Sequence, residues 1–307
     1  MYKTVNVHVI CRSTLVRFSQ LWISLRPQQW VKNLFLFAAL VFSGKLFSAP
    51  DAERAVMGFF IFCIGASAAY LFNDLIDAPQ DRLDPEKSRR PIAAGLISPN
   101  TAISLSIFLA AVALLGAFAL GREFGAVLAV YLVVNVIYTL WLKAIVILDV
   151  MIVASLYVLR VVAGAVVISV PISTWLLICT MLLALFLGFS RRRYELIALQ
   201  NDAPQHRAVL QKYSPYFLDQ MISVVTASTV IAYTFYTVAP ETTSKFGTAN
   251  LIYTVPFVLY GIFRYLYLVH REDKGGNPTK VLLTDVPLLI NVVLWLGVAV
   301  LIIYFGR

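Results

Sequence analysis

The stretch FNDLIDAPQD, residues 72–81, closes a hydrophobic run that begins near residue 55 and carries three carboxylates and one amide. Basic residues follow it at Lys87 and at Arg90-Pro91. Ionisable groups are costly at membrane depth, so acids at the end of an apolar span mark a candidate functional site. Magnesium together with basic side chains is a usual way to hold a diphosphate, and the stretch therefore predicts a magnesium and diphosphate site.

The rest of the chain has the composition of an integral membrane protein. Of its 307 residues, 60% are hydrophobic and only 13% are charged, which is far from the range of soluble domains. Nine hydrophobic runs are each long enough to cross about 30 Å of hydrocarbon. They lie near residues 33–49, 55–73, 100–120, 124–142, 147–168, 172–189, 216–238, 250–269 and 285–305. We therefore predict an all-α membrane protein with nine transmembrane helices.

The distribution of basic residues predicts the orientation of this bundle. Nineteen of the 25 Lys and Arg residues belong to the N-terminal segment and to the loops after the second, fourth, sixth and eighth spans, when Arg264 near the end of the eighth span is counted with the last loop. Five lie on the opposite side, and Arg160 lies inside the fifth span. The positive-inside rule then predicts a cytoplasmic N-terminus and a C-terminus outside, in the plasma (inner) membrane.

Most acids share the predicted cytoplasmic side, which the orientation rule does not require. The chemistry is therefore expected at the cytoplasmic face. The net charge of +9 indicates topology and attraction to anionic headgroups or phosphorylated substrates rather than nucleic-acid binding.

The predicted organisation is one catalytic domain preceded by a short N-terminal segment. Residues 1–32 form a cytoplasmic or interfacial segment, and residues 33–307 form a single transmembrane catalytic domain of nine helices. Apolar residues recur at helical spacing among arginines in residues 14–26, a pattern typical of a helix lying in the membrane interface. The three cysteines are scattered, so they indicate neither a disulfide framework nor a thiolate metal site.

On a helix, Asp74, Asp77 and Asp81 fall on one face, because steps of three and four residues return to nearly the same angle, and Asn73 borders that face. Pro79 predicts that the helix ends or bends there and that Asp81 lies on a loop. The alternative is a loop of solvated charges that merely ends two helices. The apolar run directly before the acids and the bases directly after them favour a site.

These residues have the form Asn-Asp-x-x-Asp-x-x-x-Asp and continue with Arg90-Pro91 and Gly95. In this the chain resembles the UbiA superfamily of membrane prenyltransferases, and the resemblance covers nearly the whole chain. The family's second acidic signature, two aspartates after the sixth span, is replaced by Ser190-Arg191-Arg192-Arg193-Tyr194-Glu195. Together with Arg26-Pro27-x-x-Trp30-x-Lys32-Asn33, this resembles the branch of the family that transfers phosphoribose to a polyprenyl phosphate.

The resemblance implies a magnesium-dependent pentosyl transfer. Phosphoribosyl pyrophosphate would donate 5-phosphoribose to a polyprenyl phosphate lipid such as decaprenyl phosphate, giving polyprenylphosphoryl-5-phosphoribose and pyrophosphate. It implies Mg2+ held by the acidic signature, with the three aspartates as catalytic residues. The implied metal-site residues are Asn73, Asp74, Asp77 and Asp81.

A second group of residues is expected to contact phosphates or to orient the donor. The expected phosphate contacts are Lys32, Lys87, Arg90, Lys143, Arg160, Arg191 and Arg192, and the donor-orienting residues are Tyr138 and Glu195. Arg160, buried in a span, could instead pair with Asp149 or with a backbone carbonyl. Glu195 lies one turn after Arg191 and could pair with it.

Two other functions stay open at this point. An aromatic prenyltransferase of the same superfamily would join a polyprenyl diphosphate to a small acceptor, and it predicts a second aspartate pair where this chain has arginines. A transporter or lipid flippase would spread its charges along a translocation path. The isoprenoid length, the number of metal ions and assembly as a homo-oligomer are left open by the sequence.

Overall fold

The computed structural model describes residues 19–85, 87–199, 208–271, 276 and 278–306. Within these ranges the chain is helical and has no β-strand. Eight helices are long and apolar enough to cross a membrane, and we number them α1 to α8 in chain order. They are Ala49–Asp81, Pro99–Leu120, Arg122–Leu140, Leu148–Val167, Thr174–Leu199, Pro215–Val238, Val255–Arg271 and Val286–Phe305. The seventh reaches a spanning length together with the 3-10 helix Asn250–Thr254 that precedes it. The predicted all-α membrane architecture is confirmed.

The segment predicted as the first span, residues 33–49, takes a different form. Pro27–Leu36 is a 3-10 helix and Phe37–Phe42 is a short α-helix. Gly44, with a φ of 82°, then turns the chain towards the start of α1. In the interfacial helix predicted over residues 14–26, residues 19–24 are helical and residues 14–18 lie outside the described ranges.

Helix α1 continues through Pro79 to Asp81, so the prediction that Asp81 lies on a loop was wrong. A proline removes one backbone donor and crowds the carbonyl four residues earlier. Pro79 is close enough to the end of the helix that few hydrogen bonds depend on it. The last turn is still closed by the backbone N–H of Arg82, which donates to the Ala78 carbonyl at 3.2 Å.

Three of the long helices begin with the same local device. A side-chain oxygen at the N-cap accepts a hydrogen bond from the backbone N–H three residues later, and a proline follows within two residues. The caps are Ser98, Ser214 and Asp285, with O···N distances of 3.2, 3.1 and 3.0 Å at the starts of α2, α6 and α8. This satisfies donors that have no partner inside the helix, at positions where proline is already well placed.

The chain forms two compact units, which are described separately. The first comprises the described part of residues 1–33 together with residues 60–141. Here α2 and α3 pack against each other, and the ring of Phe62 contacts that of Tyr131 at 4.6 Å between centroids. A buried cluster of Leu71, Ala78, Ile92, Ile97 and Ala102 ties the end of α1 to the loop before α2.

The second unit comprises residues 34–59 and 142–307. Helix α5 packs against both α4 and α6, and α7 packs against α8. The backbone at Leu36, the last residue of the 3-10 helix Pro27–Leu36, approaches α4 closely at Gly164. A Cβ atom on Gly164 would lie 1.9 Å from the carbonyl oxygen of Leu36. Only a residue without a side chain fits between these two backbones.

Replacing Gly164 by alanine is therefore expected to destabilise the second unit. Forcing a methyl group against a backbone oxygen should cost about 1–3 kcal/mol, because the backbone must shift. Gly297→Ala in α8 is the matched control, since a Cβ there meets nothing within 4 Å, and it should be neutral or stabilising by about 0.5 kcal/mol. Thermal unfolding in detergent micelles measures both changes, and a Gly164→Ala protein that melts no lower than wild type would contradict the close approach.

Candidate active site

Two buried carboxylates of the acidic stretch share a guanidinium group. Asp74 and Asp81 are 3% and 5% exposed. Nη1 of Arg90 donates to Asp74 Oδ1 at 3.1 Å and to Asp81 Oδ2 at 2.5 Å, and Arg26 also donates to Asp74 Oδ1. The repulsion expected between clustered acids is thus balanced by arginines in this arrangement.

The two arginines come from opposite sides of the sequence motif. Arg90 follows the 3-10 turn Lys87–Arg89, and its backbone N–H donates to the Lys87 carbonyl at 2.9 Å. Arg26 has a φ of 53°, a left-handed conformation that is uncommon outside glycine. Burial lowers the pKa of its guanidinium, and the Asp74 carboxylate opposes that shift. A strained backbone at a buried ion pair is the kind of feature that accompanies functional sites.

The other two residues of the acidic signature form a separate pair. Asn73 Nδ2 donates to Asp77 Oδ2 at 2.8 Å, one turn along α1. The hydroxyl of Thr139, in the last turn of α3, donates to Asn73 Oδ1 at 3.2 Å. The amide of Asn73 therefore links the two helices and orients its neighbour Asp77.

The donor atoms in this group suit magnesium, because carboxylate and amide oxygens are the ligands that hard cations prefer. In the described residues, however, no three His, Cys, Asp or Glu side chains are grouped so that they could hold a metal ion. Asp74 and Asp81 converge on Arg90, and Asp77 on Asn73. The metal site thus stays a prediction that rests on the chemistry of these side chains.

The remaining predicted residues of the first unit are Lys87, Lys32 and Tyr138. Lys87 pairs with Asp84 at 2.8 Å rather than with the signature acids. Lys32 lies half-buried in the 3-10 helix Pro27–Leu36, and Tyr138 lies half-buried in α3 next to Thr139.

The second unit holds its own buried polar network, built around the arginines that replace the second acidic signature. Arg192 Nε donates to Asp149 Oδ2 at 2.6 Å, and its Nη1 donates to Glu195 Oε2 at 2.6 Å. Arg191 Nε donates to the other oxygen of Glu195 at 2.8 Å, so the pairing expected from their spacing is confirmed. Asp149 is fully buried in the first turn of α4.

Tyr213 completes this network from the loop before α6. Its hydroxyl donates to Asp149 Oδ1 at 2.7 Å and accepts from the backbone N–H of Ile147 at 2.7 Å. Burial, together with the hydrogen bond to Asp149, raises the pKa of the Tyr213 phenol, so it stays protonated as a donor. Ile147 has a φ of 70°, which is strained for a β-branched residue and places its N–H beside Tyr213.

Two further predicted residues of the second unit lie outside the hydrogen bonds just described. Arg160 is 3% exposed; its Nη1 donates to the Leu156 carbonyl at 2.7 Å, and its guanidinium lies 5.2 Å from the centroid of the Tyr157 ring. The backbone-carbonyl contact expected for Arg160 is therefore present, whereas Asp149 pairs with Arg192. Lys143 lies half-buried in the 3-10 turn Leu142–Ala144.

Sequence reasoning had not placed four of these residues in a site. The sequence identifies Arg26 only as the first residue of a motif, and Asp149 only as a possible ion-pair partner for Arg160. Asp149 did carry a signal, since an acid in the first turn of an apolar span needs a partner. Thr139 and Tyr213 gave none, because their contacts join segments 66 and 64 residues apart.

Most of the chain is similar in sequence to proteins of one known family. The model of the UbiA prenyltransferase family matches residues 34–285. Decaprenyl-phosphate phosphoribosyltransferase of Mycolicibacterium smegmatis is 31% identical over 296 residues, covering 92% of each chain. The protein of the same name from Corynebacterium glutamicum is 30% identical over 287 residues, covering 92% of this chain and 86% of the relative.

Solved structures share the fold. A UbiA homolog from Archaeoglobus fulgidus bound to GPP and Mg2+ superposes with a TM-score of 0.69 at 20% identity, over 92% of this chain and 99% of that chain. A digeranylgeranylglyceryl phosphate synthase superposes with a TM-score of 0.65 at 16% identity, over 95% of this chain and 99% of that chain.

The buried network makes a prediction about stability. Asp149→Asn should destabilise the protein by about 3 kcal/mol, because Arg192 would lose a buried anionic partner. Asp219→Asn is the matched control: its carboxylate pairs with Arg193 at 2.5 Å but is 39% exposed, and the cost should stay below about 1 kcal/mol. Unfolding in mixed detergent micelles compares the two, and equal losses would show that the Asp149 network is not a structural anchor.

Proposed function

The chain belongs to the UbiA prenyltransferase family and is a transferase, and we propose that it transfers 5-phosphoribose from phosphoribosyl pyrophosphate to a polyprenyl phosphate. The products are polyprenylphosphoryl-5-phosphoribose and pyrophosphate. The observation that carries this proposal is the arginine network Asp149–Arg192–Glu195–Arg191, where a prenyl-diphosphate enzyme of the family would have aspartates. The names of relatives about 30% identical over nearly the whole chain support the same donor and acceptor.

Arginines suit the substrates of this reaction better than a second set of acids would. The two substrates each carry a phosphate monoester. The 5-phosphate of the donor is unchanged by the reaction, whereas the lipid phosphate attacks the anomeric carbon as pyrophosphate leaves and becomes a phosphodiester. A guanidinium binds such groups directly through two parallel hydrogen bonds. An acidic site would need a metal ion to bind the same groups. The cationic second unit therefore favours phosphoribosyl transfer over prenylation of an aromatic acceptor.

In the first unit, Asn73, Asp74, Asp77 and Asp81 are proposed to hold Mg2+ when the donor is bound. The ion would supply positive charge to the pyrophosphate leaving group. Magnesium bound to a solved relative of the same fold supports this assignment.

The basic side chains near the acidic signature are proposed to bind the donor's diphosphate directly. Arg90 and Lys87 are proposed to contact the donor's diphosphate, and Arg26 joins them as a residue that sequence reasoning had not chosen. As the ribose anomeric carbon gains oxocarbenium character, charge builds on the departing pyrophosphate, and fixed guanidinium groups stabilise that charge without rearranging. Asn73 meanwhile keeps Asp77 oriented through its amide.

The second unit is proposed to bind and orient the phosphate monoesters. Arg191, Arg192, Arg160 and Lys143 are the proposed phosphate contacts there. In the first unit, Lys32 is a further proposed phosphate contact and Tyr138 a proposed donor-orienting residue. Glu195 and Asp149 fix the directions of the guanidinium groups. No general base is required, because the attacking lipid phosphate is already anionic.

We also propose a topology for this enzyme. The 3-10 helix of ten residues and the α-helix of six that follow Arg26 would extend roughly 29 Å end to end, at about 2.0 and 1.5 Å per residue. That length matches the hydrocarbon layer and would make this segment the ninth crossing. With the chain before this crossing as a cytoplasmic or interfacial segment, the active site then lies at the cytoplasmic face of the plasma membrane and the C-terminus outside.

An assay with defined substrates tests the reaction. Purified protein incubated with radiolabelled phosphoribosyl pyrophosphate, polyprenyl phosphate and magnesium should form a labelled lipid, and chelation of the metal should abolish its formation. A parallel incubation with a polyprenyl diphosphate and a hydroxybenzoate should give no product. Product from the second incubation and none from the first would show an aromatic prenyltransferase instead.

The role of Asp77 can be tested on the same assay. Asp77→Asn should lower turnover by at least about 100-fold, the order of loss when one group that stabilises transition-state charge is removed, while membrane insertion is unchanged. Asp51→Asn is the control at the other end of α1, where the carboxylate accepts from Ser48 at 2.7 Å, and it should retain activity. Full activity of Asp77→Asn would remove this residue from the metal site.

A further inference from the structure

Three buried side-chain oxygens have no hydrogen-bond partner among the described residues: Ser190 Oγ, Thr226 Oγ1 and Tyr265 Oη. Ser190 is 0% exposed and Tyr265 is 4% exposed. A hydroxyl in such a place bears the full cost of leaving water, so a buried unpaired hydroxyl calls for an explanation. Apolar residues of the same shape would avoid that cost.

Two of the three hydroxyls belong to one interface within the second unit. The ring of Tyr265, on α7, packs edge-on against Phe186 of α5 with centroids 5.3 Å apart. Ser190 lies one turn after Phe186 and therefore on the same face of α5. The unpaired hydroxyls of Ser190 and Tyr265 thus belong to the parts of α5 and α7 that meet through the ring contact of Phe186 with Tyr265. Thr226, by contrast, lines an apolar groove between α6 and α7.

Arg191 follows Ser190 directly in the chain and lies within electrostatic range of the Tyr265 hydroxyl. The Tyr265 phenol interacts electrostatically with the Arg191 guanidinium and with Tyr157, and Arg160 lies over the Tyr157 ring. The Arg191 side chain is 39% exposed, so a ligand can reach it from outside. Its guanidinium carries five N–H donors, of which the described bond to Glu195 uses one.

We infer that Tyr265 and Ser190, together with Arg191, form a binding pocket for the oxygens of a phosphate monoester. Hydroxyls and a guanidinium are all donors towards an anion, so the group that satisfies them must be rich in acceptors and negatively charged. The inference deepens the proposed function, on which it rests. Both substrates proposed above carry such a group: the donor its 5-phosphate and the lipid its single phosphate.

Binding measurements on the whole protein in detergent test the pocket and identify which substrate uses it. The probes are ribose 5-phosphate and farnesyl phosphate, each titrated into wild type, Tyr265→Phe and Ser190→Ala by calorimetry. The affinity for one of the two probes should fall by about 10- to 100-fold in Tyr265→Phe, the loss expected for one hydrogen bond to a charged group. The thermal midpoint of the free protein should stay the same or rise, because the lost hydroxyl had no partner.

Two control variants separate a ligand role from a structural one. Thr226→Val also removes an unpaired buried hydroxyl but lies outside the pocket, and Tyr267→Phe removes an exposed hydroxyl two residues along α7. Both should bind the two probes as wild type does. A Tyr265→Phe protein with a lower midpoint and unchanged affinities would indicate a structural water on the hydroxyl and overturn the inference, as would unchanged affinities in both pocket variants.

The binding measurements test the pocket separately from the turnover assay that tests the proposed reaction. Binding needs no turnover, so a wild-type protein that forms no labelled lipid but binds a monoester through Tyr265 would refute the reaction and keep the pocket. A protein that forms the labelled lipid while Tyr265→Phe and Ser190→Ala bind both probes normally would keep the reaction and refute the pocket.

Discussion

The structure depends on neutralising buried carboxylates with guanidinium groups in a chain whose membrane spans are largely apolar. A carboxylate removed from water loses several kcal/mol of hydration, and it is retained only where a cation and hydrogen bonds replace that water. Asp74 and Asp81 meet this condition through Arg90 and Arg26, and Asp149 meets it through Arg192. Each unit therefore contains a buried ionic network, and several residues of the proposed reaction belong to these networks.

The local geometry follows from the need to bring these partners together. Arg26 and Ile147 both adopt a left-handed backbone conformation, and each lies at an end of an ionic network. A strained residue of this type persists only where its surroundings over-determine it. The hydrogen bonds of the networks supply that constraint, so the same contacts that neutralise charge also fix the backbone that presents the functional groups.

Local sequence patterns were sufficient to predict the long helices and some of the side-chain contacts. Hydrophobic runs located the long helices, and the four-residue spacing of Arg191 and Glu195 predicted a contact that is present. The sequence also indicated that Arg160 would need a partner, and a backbone carbonyl is one of the groups it contacts. In contrast, Pro79 was given too much weight, because the effect of a proline depends on how much of the helix follows it. The contacts of Arg26 with Asp74 and of Tyr213 with Asp149 join distant segments, and no periodicity in one sequence records such pairs.

The order of the chain has a consequence for biosynthesis. Asp149 emerges from the ribosome 43 residues before Arg192 and 64 residues before Tyr213. Helix α4 therefore enters the translocation machinery with its acid still lacking both partners. The packing of α4 can be completed only after α5 and the segment up to Tyr213 have been made, so the folding of α4 is coupled to that of the chain that follows it.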